Sequence, residues 1–244
     1  MYQKEVPNLI AEIGCNFNSI ETAKKMIVAV SKAGANFVKF QLYNEENIKG
    51  LSADLHKRLA SIQLTESQVK ELKKEATKNK LSFLLTPMYD KALMIAGKYC
   101  DDFIKIRFAE HSDMNKINQV LKMGKNVFVS VPNIPLEPFL MYNPKIRWLY
   151  CLPSYPPKVE EFNLDVASAC HGLSSHYPHT VCDMAYILNR SFQECFIEKH
   201  IILNRNWKSL KEKPIDADAS ITVDELKAFK EWIGIAEKIQ RFKF

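Results

Sequence analysis

Glycine is scarce, with seven residues in 244. None belongs to a GxGxxG turn, which lets a backbone approach a pyrophosphate, so a dinucleotide-binding fold is excluded. The six cysteines, at 15, 100, 151, 170, 182 and 195, form no CxxC pair, so no zinc knuckle or redox dithiol is written into the chain. They lie mostly in apolar segments such as RWLYC and ECFIE, where reduced, buried thiols are expected. No apolar run approaches the roughly 18 residues of a membrane span. Met1-Tyr2-Gln3-Lys4-Glu5 leads into a short apolar run without the long apolar core of a signal peptide. A cytoplasmic protein with no membrane partner is expected. Charge is not dominated by one sign: 34 Lys and Arg face 28 Asp and Glu, a net +6. The excess sits on faces such as KELKKEATKNK, which suits a solvated surface and not a nucleic-acid groove.

What is present is a repeated alternation. Short apolar runs at 8–14, 36–41, 81–87, 102–106, 126–130, 146–151, 172–175 and 194–199 precede helical patterns. After the fifth run the pattern is a Pro-rich segment with one turn of helix, and after the second a polar insertion intervenes. Continuous apolar strands mark a parallel sheet covered on both faces. Eight strand–helix units of about 30 residues predict an α/β fold, a (β/α)8 TIM barrel forming a single domain over 1–244. Ser19 opens the first helix, and Thr65-Glu66-Ser67-Gln68 reads as a capping box. The last helix is expected to place Val223, Leu226, Phe229, Trp232, Ile233, Ala236 and Ile239 on one apolar stripe.

Such barrels carry their sites at the C-terminal ends of the strands. The runs here end on Glu12, on Lys39 and Gln41, on Thr86, on Lys105 followed by Glu110, on Ser130, near Tyr155, on Ser174 and His176, and on Glu198, Lys199 and His200. Lys39 and Lys105 are flanked by large apolar residues, so each needs an anionic partner, and both together suit one bound anion. His176 and His200 terminate successive strands and are candidate ligands of one divalent ion.

These residues resemble the N-acetylneuraminate (sialic acid) synthase family. The likeness rests on IAEIGCNFN (10–18), AGANFVKFQ (33–41), FLLTP (83–87), IKIRFAE (104–110), YCLPSYP (150–156), GLSSH (172–176), EKH (198–200) and PIDADAS (214–220), in order over almost the whole chain. The resemblance implies a (β/α)8 barrel that condenses phosphoenolpyruvate with an aldehyde-bearing amino sugar and releases phosphate. It implies a divalent metal, Mn2+ first and Mg2+ or another ion next, held by His176 and His200. Lys39 and Lys105 match positions that receive the carboxylate and phosphate, and Thr86, Ser130 and Ser174 match positions near the phosphate. Glu110 matches a proton-handling carboxylate. Glu12, Gln41, Tyr155 and Asp216 match sugar-side positions. A homodimer is implied, as is a C-terminal antifreeze-like domain. The sequence ends soon after the eighth unit, so a barrel without that domain is expected.

The chain departs from the family pattern at Asn16-Phe17, at Arg107-Phe108, at Ser130-Val131-Pro132, at Pro153 and at Ser175. Phe108 and Pro153 replace a hydroxyl and an amide expected beside the phosphate, and Arg107 offers charge if it turns inward. Two other readings therefore stand: a Schiff-base aldolase or lyase using Lys39 or Lys105, and a degenerate, non-catalytic barrel that binds a sugar acid.

Overall fold

Each apolar run becomes one strand. The computed structural model describes residues 6–135, 141–206 and 212–241. Its strands are β1 (Asn8–Gly14), β2 (Phe37–Leu42), β3 (Ser82–Pro87), β4 (Phe103–Ile106), β5 (Asn126–Val131), β6 (Ile146–Tyr150), β7 (Gly172–Ser175) and β8 (Phe196–Ile202). They run parallel in the order β3-β2-β1-β8-β7-β6-β5-β4, the expected barrel. The two ends of that order meet through Asp101. The Phe83 amide donates to Asp101 Oδ2 at 2.8 Å, and the Asp101 amide donates to the Phe83 carbonyl at 3.2 Å. A carboxylate thus bridges a seam where strand-to-strand amide pairing is sparse.

The helices cover the outside. Ser19 caps α1 (Ile20–Lys32), whose buried face is Ala23, Met26, Ile27 and Val30. The polar insertion is itself helical, as α2 (Glu45–Ile48), capped by Asn44, and α3 (Ala53–Ser61), capped by Ser52. Leu55 and Leu59 of α3 line the mouth of the barrel. The expected capping box at Thr65 and Gln68 starts α4 (Glu66–Lys78). Further helices are α5 (Asp90–Tyr99), α6 (Met114–Lys122), α7 (Leu164–Ser168) and α8 (Val181–Asn189). Part of the turn of helix expected after the fifth strand falls on 136–140, outside the described residues.

Two features depart from expectation. A short strand, β9 (Ser220–Thr222), adds itself to β8 with Ser220 opposite His200. In α9 (Val223–Arg241) the buried stripe is Leu226, Phe229, Ile233 and Ala236, whereas Trp232 and Ile239 face solvent. The 3-4-3 spacing of the buried set follows the helical period, and Trp232 and Ile239 fall at the edge of that stripe, beyond Ala236. Among the described residues no helix is long and apolar enough to cross a membrane.

Inside the barrel, alternate residues point to the axis. The lowest layer is apolar: Ile10, Leu84, Phe103, Phe128, Leu149 and Phe196 pack together, with Phe37 against them. Phe103 and Phe128 stack with centroids 4.2 Å apart. Gly172 occupies the same level because a Cβ there would lie 2.0 Å from the Phe196 carbonyl oxygen. This layer closes the barrel from below and forms a floor of low polarity.

Candidate active site

Moving two residues along each strand from the apolar floor gives the next inward layer: Glu12, Lys39, Thr86, Lys105, Ser130, Cys151, Ser174 and Glu198, all buried. The same step that keeps the floor apolar therefore stacks a polar layer on it. These groups open into a cavity of about 460 Å³, within the usual 300–1,000 Å³ of a ligand pocket.

Glu198 is the centre of the layer. Its Oε1 lies 2.9 Å from Lys39 Nζ and 3.2 Å from Lys105 Nζ, and it accepts from Ser174 Oγ at 2.7 Å. Lys105 Nζ also donates to Ser130 Oγ at 2.6 Å. Lys39 Nζ stands 3.6 Å from Glu12 Oε1, which accepts from Gln41 Nε2 at 2.7 Å. Gly14 leaves room for that Glu12–Gln41 pair: a Cβ at its positive φ of +53 would stand 3.0 Å from Glu12 Oε1.

Burial alone would raise the Glu198 carboxyl, but Lys105 and Lys39 hold it well below the usual carboxylate range. Burial opposes charge on Lys39 too, yet Glu12 and Glu198 keep its ammonium above the ordinary lysine value. For Lys105 burial outweighs the attraction of Glu198 and pushes the amine down. Burial likewise raises Glu12 against the pull of Lys39. In this layer three buried oxygens have no hydrogen-bond partner: Glu12 Oε2, Glu198 Oε2 and Thr86 Oγ1. Buried polar atoms without partners are rare in folded proteins. The two carboxylate oxygens suit ligand hydroxyls, and the threonine suits an anionic oxygen.

His176 and His200 stand above this layer with ring centroids 5.4 Å apart. Burial, and then the neighbouring His200, pushes His176 well below the ordinary imidazole value, which keeps it neutral as a metal ligand must be. The Tyr155 hydroxyl hydrogen-bonds to His200 Nε2, and the Tyr155 ring lies 4.0 Å from His176. Asp216 Oδ2 is 3.2 Å from His200 Nδ1, close enough for attraction but outside hydrogen-bond geometry. The Asp216 loop is pinned by Asn16, whose Oδ1 accepts from the Asp216 amide at 2.9 Å and whose Nδ2 donates to the Ile201 carbonyl at 3.1 Å. Among the described residues no set of three or more His, Cys, Asp and Glu is arranged around one point as a metal cage. Two imidazoles nonetheless fit an ion that keeps several positions for water and substrate oxygens, once Tyr155 leaves His200 Nε2.

Two expectations are corrected. Glu110 lies on a short 3-10 turn (Phe108–Glu110) beyond β4, and its carboxylate meets Lys116 at 2.8 Å and Arg107 at 3.4 Å instead of lining the cavity. Lys199 does not reach the rim. Strand alternation turns it outward, where its ammonium donates to Ser175 Oγ, the Tyr177 and His179 carbonyls, and Asp183 Oδ2 at 3.0 Å. It is a structural ion pair. The role of Glu198 as shared partner of both lysines was missed. The signal was available: Glu198 and His200 are two residues apart on one strand and so face the same way. Gln41, Tyr155, Asp216, Arg107, Phe108 and Pro153 all line the cavity.

Comparison with known proteins agrees with the fold. The chain is 26% identical to pseudaminic acid synthase of Helicobacter pylori over 83% of this chain and 68% of that protein. It is 26% identical to N,N'-diacetyllegionaminic acid synthase of Campylobacter jejuni over 90% of this chain and 73% of that protein. The fold matches the crystal structure of N-acetylneuraminic acid (sialic acid) synthetase of Leptospira borgpetersenii with a TM-score of 0.82, at 22% identity, over 98% of this chain and 86% of that one. The NeuB family model matches residues 26–242, most of the chain, and the protein belongs to the NeuB family.

Proposed function

We propose that this protein condenses phosphoenolpyruvate with an aldehyde-bearing amino sugar, in a divalent-metal-dependent reaction that yields a sialic-acid-like 2-keto-3-deoxy sugar acid and phosphate. The observation that carries the reading is the Lys39–Glu198–Lys105 bridge, set in the same cavity as the facing imidazoles of His176 and His200. The synthase relatives support it.

In this reading the two ammonium groups receive the carboxylate and phosphate of the donor, and the hydroxyls of Thr86, Ser130 and Ser174 meet its oxygens. Glu198 aims both amines before the donor arrives. Glu12, Gln41, Tyr155 and Asp216 orient the sugar. His176 and His200 would hold the ion, Mn2+ first and Mg2+ next, and that ion would supply Lewis-acid polarisation of the aldehyde. C3 of phosphoenolpyruvate bonds to the aldehyde carbon, whose oxygen takes up a proton. Water adds at C2, the C2–O bond to phosphorus breaks, and phosphate leaves a 2-keto acid. In this reading Glu12, whose carboxyl burial raises, manages those protons, since Glu110 stands off the cavity and two lysines hold Glu198 ionised.

The test is phosphate release from phosphoenolpyruvate with Mn2+ across a panel of aldoses and amino sugars. Release that depends on both acceptor and metal is expected. No release with any acceptor, with metal binding demonstrated, would overturn the reading. The lowered basicity of Lys105 favours a second reading, a Schiff-base aldolase. Borohydride trapping of a carbonyl substrate on Lys105 would support that alternative.

A further inference from the structure

We infer that Arg107 is a further side chain that receives a phosphoryl group in this cavity, beside the lysines and hydroxyls of the polar layer. The inference rests on the condensing reading insofar as phosphoenolpyruvate is one of the two sources of that group; a phosphorylated acceptor sugar is the other.

The first argument is position. Arg107 lies two residues beyond Lys105, with its backbone still extended at φ −74 and ψ 164, so the inward alternation of β4 carries it into the cavity wall. The second is charge. Among the described lining residues the cations are Lys39, Lys105 and Arg107, and the carboxylates are Glu12, Glu198 and Asp216. Both lysines are already matched by Glu12 and Glu198. Counting the Lys, Arg, Asp and Glu side chains alone, before any ion binds, two cations would face three carboxylates without Arg107, and Arg107 brings the lining into balance. The third is availability. Arg107 Nε is buried without a hydrogen-bond partner; Glu110 Oε1 stands 3.4 Å away, outside hydrogen-bond geometry, while Lys116 holds the other Glu110 oxygen at 2.8 Å. A guanidinium carries a fork of N–H groups suited to paired contacts with a phosphate. The fourth is the surrounding wall, where Phe108 and Pro153 carry no side-chain donor that could do the same.

The experiment is calorimetric titration of the full-length protein with phosphoenolpyruvate, inorganic phosphate, a hexosamine 6-phosphate and pyruvate. Arg107→Ala is expected to weaken phosphoryl ligands by about ten- to a hundredfold. Pyruvate, which lacks the phosphoryl group, is expected to stay within roughly threefold. Arg107→Lys should restore part of the loss, because an ammonium keeps the charge without the fork. A loss confined to phosphoenolpyruvate assigns Arg107 to the donor phosphate, and a loss confined to the hexosamine phosphate assigns it to the acceptor; either supports the inference. Three results overturn it: unchanged affinity in Arg107→Ala for the phosphoryl probes that the native protein binds, a native protein that binds none of them, or full recovery in Arg107→Ala/Glu110→Gln, which would trace the effect to a freed Glu110. In each case the turnover assay decides the condensing reading separately. Matching thermal midpoints exclude a folding defect.

Discussion

Lys39 Nζ and Glu198 Oε1 meet at 2.9 Å in a layer almost closed to solvent, and Lys105 shares the same oxygen at 3.2 Å. One carboxylate thus offsets two buried ammonium groups that would otherwise resist folding.

Removing it should be severe. Glu198→Ala leaves two amines underpaired in the interior, and a loss of about 3–5 kcal/mol in folding stability is expected. Lys39→Met added to Glu198→Ala should recover part of it. Urea unfolding monitored by circular dichroism checks both, and a Glu198→Ala midpoint equal to that of the native chain would contradict the assignment.

Lys199 should behave as a structural residue. Lys199→Met strands the Asp183 carboxylate, which has 0% exposure, and should cost about 3–5 kcal/mol. The double replacement Lys199→Met/Asp183→Leu should be closer to native stability. Affinity for phosphoenolpyruvate should be unchanged in the double variant, because the pair lies on the outer side of β8. Weakened binding there would return Lys199 to the cavity.

The Tyr155 hydroxyl occupies His200 Nε2, the nitrogen that a metal ion in the proposed site would need. Tyr155→Phe should therefore tighten Mn2+ binding by roughly fivefold, the equivalent of one hydrogen bond of about 1 kcal/mol. His176→Ala and His200→Ala should each abolish tight binding. Titration followed by the paramagnetic resonance of free Mn2+ reads this without turnover. Weaker binding in Tyr155→Phe would make the tyrosine a ligand instead of a competitor.

His171 sets an acid limit on stability. Its Nδ1 accepts the Trp148 amide at 3.2 Å, and its ring stacks on Phe192. Burial, with help from Arg147, lowers it from 6.5 to about 4. A depressed folded value means that both states are neutral above about pH 6.5. Between there and about pH 4 the unfolded chain takes a proton that the folded one refuses. Stability should fall by up to about 1.4 kcal/mol per pH unit in that window and level off below it. His171→Asn keeps an acceptor but cannot titrate, so the gap between the two stability curves should change across that window alone. Parallel curves would remove His171 as the cause.

The strands were legible because a run such as NVFVS or LSFLLTP has little use other than burial on both faces. The polar ends of those runs marked the rim for the same reason: Lys39 and Lys105 break apolar strands that had no local need of charge. The insertion at 43–64 was not recognised as helical, since α3 shows few apolar residues and relies on caps at Ser52 and contacts with the barrel mouth. Glu110 was misplaced because the turn after β4 redirects the chain within three residues, which no strand period describes.

Local chemistry along the chain was sufficient for the eight-unit barrel, the capped helices and the list of groups at the strand ends, because strand period and capping act within a few residues. Which of those groups touch was decided by tertiary structure alone. Glu198 reaches Lys105 across 93 positions of sequence, Glu110 turns to Lys116, and Lys199 turns outward to Asp183. Such pairings depend on strand register and on where each chain segment leaves the sheet, and these are settled by packing the whole barrel.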